Sequence, residues 1–318
     1  MNDILDHLDE LTAIDQRQLL QDFRLLADGQ QLSYADIIPL LPRFADSHSE
    51  IVNTALYAIV NKLKQFVTPG SAEESALKKF VNQLSAKQVS RLGWKPQAGE
   101  SNDDQLTRPI VLGAALYAEN PEAIKAAHEI FTNNHHRLEK LPADIRPLVL
   151  RNEVKHYGSK ELFNELLEDY RETTDASYKG DLNGAITSTP DNSLITELIN
   201  EFENADTIKP QDLRGWYRNV LANNAGQQAA WDWIRNDWDW LEKTVGGDME
   251  FATYITVTAN VFHTPARLAE FKQFFEPKID TPGLTREITM DISVIESKVK
   301  LVQAEKDAVV KTLQSVTR

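Results

Sequence analysis

The chain has 318 residues, of which 42% are hydrophobic, a proportion typical of a globular protein with room for a substantial core. Lys and Arg number 34 against 48 Asp and Glu, and the formal net charge of −14 argues against nucleic acid or an anionic membrane as the main partner. The absence of cysteine excludes thiol catalysis and disulfides. Since no apolar run approaches the roughly 18 residues of a membrane span and the N-terminus lacks a signal-peptide pattern, we expect a cytoplasmic protein.

The first part of the chain carries a clear helix start and one plausible long loop. Ser71 and Glu74 have the spacing of a capping box, in which each side chain binds a free backbone N–H of the first helical turn. The segment 93–105 is polar and contains proline and glycine, which is typical of a loop. We interpret it as a surface loop within a single domain covering residues 1–318, with a subdomain boundary there as the alternative.

The segment AAHEIFTNNHH contains a candidate for part of a zinc site. A zinc-peptidase helix needs His-Glu-x-x-His, because ligands four residues apart lie on one helical face. His128 and Glu129 are present, but Thr132 stands where the second histidine is required. His135 and His136 follow about two turns later, roughly 11 Å along the axis, which is too far to share one ion with His128. We therefore predict no metal ligand and no catalytic residue in this segment.

Apolar residues recur at helical spacing in the second half of the chain. In KELFNELLEDY and in NSLITELINEF they cover one face of a helix, and the two patterns begin 32 residues apart, at Leu162 and Leu194. Capping residues followed by proline recur in the same rhythm, which predicts helix starts at a period of about 35 residues. These predicted starts lie near residues 121, 159, 191, 226 and 264. The sequence therefore predicts an all-α fold, an α-α superhelix of stacked antiparallel helix pairs of the HEAT or armadillo kind.

Four of the six tryptophans fall within AAWDWIRNDWDWLEK. Treated as one helix, this segment places Trp231 and Trp238 on one face and Trp233 and Trp240 almost opposite. A helix that is apolar on two faces is buried from two sides, so we favour core packing over an aromatic ligand cage. The following GGDME segment lacks the asparagine of the Gly-x-Met-Glu-Asn strand of zinc aminopeptidases and predicts a helix terminator followed by a cap at Asp248.

The segment TYITVTANVF is rich in β-branched residues and could form a strand if taken alone. Helical patterns flank it on both sides, and no partner strand is apparent. We therefore predict a buried helix for this segment.

Several longer segments, taken in order, resemble the C-terminal helical domain of the aminopeptidase N family. They are LPADIRPLVLRNEVKHYGSKELFNELLEDYRET, TSTPDNSLITELI, IKPQDLRGWYRNVLANNAGQQAAWDWIRNDWDWLEK and FHTPARLAEFKQFFEP. The residues that match the family pattern are Pro142, Asp144, Arg146, Gly158, Phe163, Tyr170, Thr173, Thr189, Asp191, Gln211, Asp212, Ala230, Trp231, Trp233, Ile234, Arg235, Trp238, Phe262 and Thr264.

The resemblance implies that the chain is the C-terminal α-solenoid domain of a zinc aminopeptidase. In that family the domain closes over the catalytic domain, walls off a chamber and accommodates the peptide beyond the scissile bond. The zinc ion and the catalytic residues would belong to an upstream catalytic domain of the same polypeptide, and the partners of this domain would be that catalytic domain and peptide substrates.

Arg286, in PGLTREI, resembles a recurrent arginine of the family and is the candidate contact with the substrate chamber. A guanidinium there could pair with the carboxylate of a peptide C-terminus. The alternative is a local salt bridge to Glu287 or Asp291.

A second hypothesis for the whole chain is a free-standing helical-repeat scaffold that binds a protein or peptide partner. Solenoids of stacked helices do this widely, and the periodicity alone does not separate the two functions.

Overall fold

The computed structural model describes residues 7–247 and 250–317, and every regular element within these ranges is a helix. The predicted all-α fold is confirmed. No helix in the described ranges combines the length and the apolar character that crossing a membrane requires. The chain divides into two compact units, one formed by the residues up to Thr132 together with those from Leu301 onwards, the other running from Asn133 to Lys300.

Among its described residues, the first unit contains six α-helices, three 3-10 helices and the end of the last helix of the chain. Its helices are η1 (Leu8–Glu10), α1 (Ala13–Asp28), α2 (Tyr34–Ile37), η2 (Ile38–Phe44), α3 (Glu50–Leu63), η3 (Lys64–Phe66), α4 (Ala72–Leu92), α5 (Asn102–Tyr117), α6 (Pro121–Asn134, which ends two residues into the second unit) and the part of α16 (Thr285–Val316) from Leu301. Helix α1 packs on α3, α3 on α5, and α5 on α4. The core between them includes Leu20, Phe23, Leu56 and Phe80 from the early helices and Leu301, Val309 and Leu313 from α16.

The second unit begins with the last two residues of α6 and includes the first half of α16. Its other helices are η4 (His135–Lys140), α7 (Arg146–Tyr157), α8 (Lys160–Glu172), α9 (Ala176–Ile186), α10 (Asn192–Asn200), α11 (Pro210–Ala222), α12 (Gln227–Asn236), α13 (Trp238–Val245), α14 (Thr253–Val261), α15 (Pro265–Phe275) and η5 (Glu276–Lys278).

Alternate helices of the second unit pack on one another, which is the arrangement of an α-α superhelix. Helix α7 packs on α9, α9 on α11, and α11 on α14, while α10 packs on α12. The predicted repeat of helix starts is reproduced to within a residue or two, since α6, α8, α10, α12 and α15 begin at residues 121, 160, 192, 227 and 265. The apolar stripes face inward as predicted, with Phe163, Leu166, Leu167 and Tyr170 of α8 and Leu194, Ile195 and Leu198 of α10 all buried.

The tryptophan-rich segment forms two helices rather than one. Helix α12 ends at Asn236, and Asp237 leaves the helical conformation with φ −111° and ψ 21° before α13 begins at Trp238. After the break, the Trp238 ring packs against Phe251 and Phe275 in tilted and edge-to-face arrangements, at centroid distances of 4.9 and 5.5 Å. The prediction of a single helix was therefore wrong, whereas the prediction of core packing is confirmed by burial of Trp231, Trp233 and Trp238.

Helix α13 is followed by Gly246 and Gly247, and the predicted cap Asp248 lies outside the described residues. The TYITVTANVF segment forms helix α14, as predicted, and buries Tyr254, Ile255, Thr258 and Ala259. Its β-branched residues tolerate the helix because tertiary packing outweighs their weak preference for strands.

The polar segment after α4 is a connection between two packed helices. Gly93 ends α4 in a left-handed conformation, with φ +56°, and Ser101 caps α5 by accepting the N–H of Asp104 at 3.1 Å. The segment is tied down by Arg108, which is fully buried, pairs with Glu100 and donates from Nε to the Gly93 carbonyl at 3.2 Å.

Candidate functional site

Arg286 lies in the first turn of helix α16, directly after a tight turn. Gly283 has a φ of +87°, a backbone conformation that glycine adopts without strain. The Thr285 hydroxyl donates to the Ile279 carbonyl at 2.6 Å, and Leu284 is buried with 2% exposure, so both ends of the turn are held. The turn and its anchors therefore fix the point from which the Arg286 side chain leaves the helix.

The Arg286 side chain is exposed. Within the part of the chain that the structure describes, neither Glu287 nor Asp291 is within ion-pair distance of its guanidinium. Asp291 accepts a hydrogen bond from the Thr256 hydroxyl at 2.8 Å instead. A cation in the first turn of a helix is also disfavoured by the helix dipole, so local electrostatics do not account for arginine at this position.

Two apolar side chains continue the exposed face that Arg286 begins. Met290 and Val294 follow at intervals of four residues, so all three lie along one side of α16, and they are 49% and 37% exposed. The hydroxyls of Thr289 and Ser293 beside them each donate to the carbonyl four residues earlier, at 2.8 and 3.1 Å, which leaves little free hydrogen-bonding capacity there. We call Arg286, Met290 and Val294 the α16 stripe. The sequence interpretation missed Met290 and Val294, although their spacing from Arg286 marks them.

The opposite side of α16 holds the helix in the second unit. Ile288 and Ile295 are fully buried, and Lys298 donates from Nζ to the carbonyls of Ala259 and Asn260 at 2.9 and 2.8 Å, at the end of α14. Burial raises the pKa of the nearby Asp291 carboxyl. The hydrogen bond from the Thr256 hydroxyl opposes this increase, and the charge of Glu287 adds to it. The α16 stripe therefore lies on a helix whose opposite side is held by buried isoleucines and by the hydrogen bonds of Lys298.

The His128–Glu129 pair lies on helix α6 in the first unit. Glu129 is 3.7 Å from the Lys125 ammonium, and the Thr132 hydroxyl donates to the His128 carbonyl at 2.9 Å. The Thr132 side chain therefore forms a hydrogen bond within its own helix. The described residues of the chain contain no group of three or more His, Asp or Glu side chains that could hold a metal ion.

The two later histidines of the same segment lie in η4, in the second unit. Their rings are adjacent, with centroids 5.4 Å apart, and His135 Nε2 is 3.1 Å from the Glu165 carboxylate on α8. This places one histidine and one carboxylate together at the surface, which is a pairing and not a set of metal ligands.

Comparison with known proteins identifies the family. A family model described as the ERAP1-like C-terminal domain matches residues 1–297. The chain belongs to this family. The resemblance to the C-terminal helical domain of aminopeptidase N, drawn from the sequence segments, is confirmed.

This ERAP1-like C-terminal domain has close relatives among bacterial aminopeptidases. Aminopeptidase N of Lactobacillus helveticus is 62% identical over 308 residues, which cover 97% of this chain and 36% of that protein. Aminopeptidase N of Lactobacillus delbrueckii subsp. lactis is 51% identical over 305 residues, with 96% and 36% covered. Aminopeptidase M1 of Arabidopsis thaliana is 26% identical over 301 residues. The chain thus spans little more than a third of the length of these bacterial relatives.

Proposed function

We propose that this domain is part of a cytoplasmic zinc aminopeptidase that removes N-terminal residues from peptides. In this proposal the domain closes the active-site chamber and accommodates the peptide substrate, and it contributes no catalytic residue. The observation that carries the proposal is the 62% identity to an aminopeptidase N along almost the whole chain. In this proposal the zinc ion is bound by the catalytic part of the enzyme.

The partner of the domain is the catalytic part of the same polypeptide. A candidate docking surface is the exposed face of helix α1, where Ile14 and Leu25 are 69% and 59% exposed and, being eleven residues apart, lie on the same side of the helix. Leu26 beside them is 40% exposed. Ile14 lies about three turns from the two leucines, so Leu25 and Leu26 are the apolar end of this face, and neighbouring exposed apolar residues can mark a surface that another part of a protein covers.

The α16 stripe is the proposed contact with the peptide substrate. Arg286 provides a cation for a C-terminal carboxylate, and Met290 and Val294 provide an apolar surface for the side chains that precede it. Closure of a helical domain over the chamber excludes water from the reaction and limits access to flexible peptides with a free N-terminus. The net charge of −14 favours basic peptides near the domain, an attraction that salt weakens.

The test is hydrolysis of leucyl- and lysyl-anilide substrates by the 318-residue chain alone and by the chain combined with the catalytic portion of a relative. We expect no turnover by the chain alone, with or without added zinc, and no stoichiometric zinc in the purified protein. Combination with the catalytic portion should change its KM for peptides. Zinc-dependent turnover by the chain alone would overturn the proposal. If adding the chain leaves the KM of the catalytic portion for peptides unchanged, the result would favour a free-standing scaffold.

A further inference from the structure

A cavity of about 320 Å³ lies in the first unit, between α4 and the start of α6, and it is partly open to solvent. Its volume is at the lower end of the range for small-molecule sites, about 300–1,000 Å³, and suits a ligand of the size of one amino acid. Its innermost residues, Ser85, Ala115 and Ala123, are small and buried. The Ser85 hydroxyl donates to the Val81 carbonyl at 3.0 Å, so this inner surface is effectively apolar.

Trp94 supplies an aromatic wall of the cavity and is half-buried. The residue before it, Gly93, has a φ of +56°, and its carbonyl accepts a hydrogen bond from Nε of Arg108 at 3.2 Å. Arg108 is fully buried and also forms an ion pair with Glu100, at the other end of the same loop. The buried pair thus fixes the backbone on either side of Trp94, so the aromatic wall is formed before any ligand binds.

Two asparagines at the cavity are held by each other. Asn120 donates from Nδ2 to Asn82 Oδ1 at 2.9 Å, while Asn120 Oδ1 accepts the N–H of Ala123 at 2.9 Å. The amide nitrogen of Asn82 carries two N–H donors, and among the described residues neither has an acceptor. Asn82 Nδ2 is therefore available to a carbonyl oxygen of a ligand.

Glu122 adds a carboxylate to the cavity lining. It is exposed in the first turn of α6, and no cationic side chain in the described ranges lies within ion-pair distance of it. The ammonium of Lys125, one turn further along the helix, is 3.7 Å from Glu129 instead. The helix dipole stabilises an acid at this position, but the carboxylate itself remains unpaired. The cavity therefore combines an aromatic face, amide donors and an unpaired carboxylate.

We infer that this cavity, called here the Trp94 cavity, binds an aromatic residue that carries a free α-ammonium group. The ring packs on the Trp94 indole, the ammonium pairs with Glu122, and the carbonyl oxygen accepts from Asn82 Nδ2. The ligand is either a free aromatic amino acid or the aromatic N-terminal residue of a peptide. The inference rests on the proposed function only for the source of this ligand, because an aminopeptidase binds the second and releases the first.

The experiment measures binding to the 318-residue chain labelled with 5-fluorotryptophan and observed by fluorine NMR. Trp94 is well separated from the other five tryptophans, which lie between residues 216 and 240 in the second unit. Its signal, assigned with Trp94→Phe, therefore reports on the first unit. Four ligands are titrated: phenylalaninamide, phenylalanine, N-acetylphenylalaninamide and leucinamide.

Phenylalaninamide should shift the Trp94 signal and bind about fivefold more tightly than either of two matched ligands. N-acetylphenylalaninamide keeps the ring but lacks the cation, and leucinamide keeps the cation but lacks the ring. Phenylalanine separates the two sources of the ligand. An affinity equal to that of phenylalaninamide indicates a site for free amino acids, and a weaker one indicates a site for the N-terminal residue of a peptide.

Variants separate the Trp94 cavity from general electrostatics. Glu122→Gln should remove the preference for the free amine. Asp103→Asn is the matched control, since Asp103 is an exposed carboxylate in the first turn of α5 and does not line the cavity, and it should leave the preference unchanged. Ala86→Leu, at an exposed position of the lining, reduces the volume and should weaken all four ligands. Thermal unfolding by circular dichroism checks that each variant is folded.

The inference is overturned if phenylalaninamide leaves the Trp94 signal unshifted, if the acetylated ligand binds as tightly, or if Glu122→Gln changes the affinities no more than Asp103→Asn. Each of these results leaves the proposed function standing, because that proposal depends on hydrolysis by the assembled enzyme. Conversely, failure of the assembly experiment leaves the ligand preference of the isolated chain to be measured directly.

Discussion

The backbone N–H of Tyr34 donates a 2.7 Å hydrogen bond to the carboxylate of Glu305, across 271 positions of the sequence. The Ser33 hydroxyl donates to the same oxygen at 3.1 Å, and both Tyr34 and Glu305 are buried. Glu305 belongs to the end of α16, whose residues Leu301, Val309 and Leu313 are part of the core of the first unit. The first unit is therefore completed by residues from the far end of the chain.

Replacing Glu305 by Ala should destabilise the first unit by about 1–3 kcal/mol, because the Tyr34 N–H would remain buried without an acceptor. Urea denaturation followed by circular dichroism measures the free energy of unfolding. Asp307→Ala is the matched control, since Asp307 is an exposed carboxylate on the same helix. Equal effects of the two substitutions would show that the buried hydrogen bond contributes nothing specific.

Two buried tryptophans of α12 provide a test of what an indole hydrogen bond contributes. Trp231 Nε1 donates to Glu270 at 2.8 Å, whereas Trp233 Nε1 is buried with no hydrogen-bond partner among the described residues. Substitution by Phe removes a similar volume at both sites, so Trp231→Phe should cost about 1 kcal/mol more than Trp233→Phe. The same denaturation experiment compares them. A larger loss from Trp233→Phe would contradict the assignment.

Much of the fold could be predicted because apolar spacing and capping residues act locally. The stripe in α8 and the helix starts at Pro121 and Pro265 follow directly from the sequence. The break at Asp237 could not be predicted, since nothing in its neighbourhood forbids a continuous helix. The break accompanies a distant contact, since Trp238 packs against Phe275 of α15, and spacing near Asp237 does not reveal that contact.

The candidate sites show the same division between local and distant information. Arg286 could be proposed because it stands at a recognisable break before the last helix. The Trp94 cavity could not, since it requires α4 and the start of α6 to meet beside the loop that carries Trp94, and this depends on how the helices pack. Spacing within one helix cannot supply that information.

In the full-length enzyme, Arg286→Ala should raise the KM for peptides with a free C-terminus by about three- to tenfold, the loss of one exposed charged hydrogen bond. Its effect on kcat should be small, because the residue is proposed to bind the substrate away from the reacting bond. C-terminally amidated peptides are the internal control, and Arg286→Lys should restore part of the affinity. Unchanged kinetics on both kinds of peptide would dispose of the proposed contact.

A separate set of substitutions tests the apolar part of the α16 stripe. Met290→Ser and Val294→Ser should raise the KM for peptides that end in an apolar residue, by about two- to fivefold each, and should leave peptides that end in glycine unaffected. Because both side chains are exposed, their replacement should change the free energy of unfolding by no more than about 0.5 kcal/mol. KM values for paired peptides that differ in their last residue give the comparison, and equal effects on both peptides would contradict the proposal.

The raised pKa of Asp291 makes the stability of the second unit depend on pH. Burial is the main cause, with a further increase from Glu287, while the Thr256 hydrogen bond and Lys298 lower the pKa. The folded state therefore holds the proton more tightly than the unfolded state, so this contribution to stability is full at low pH and is lost as pH rises past the ordinary value of 3.8 and through the raised one. Asp291→Asn cannot ionise, so the free energy of unfolding of this variant should rise relative to that of the wild type as the pH increases above 3.8. Urea denaturation at a series of pH values measures this difference. Thr256→Val removes a hydrogen bond that lowers the pKa of Asp291, so the free energy of unfolding of this variant should fall more steeply with rising pH than that of the wild type. A difference between Asp291→Asn and the wild type that stays constant with pH would show that Asp291 does not titrate differently on folding.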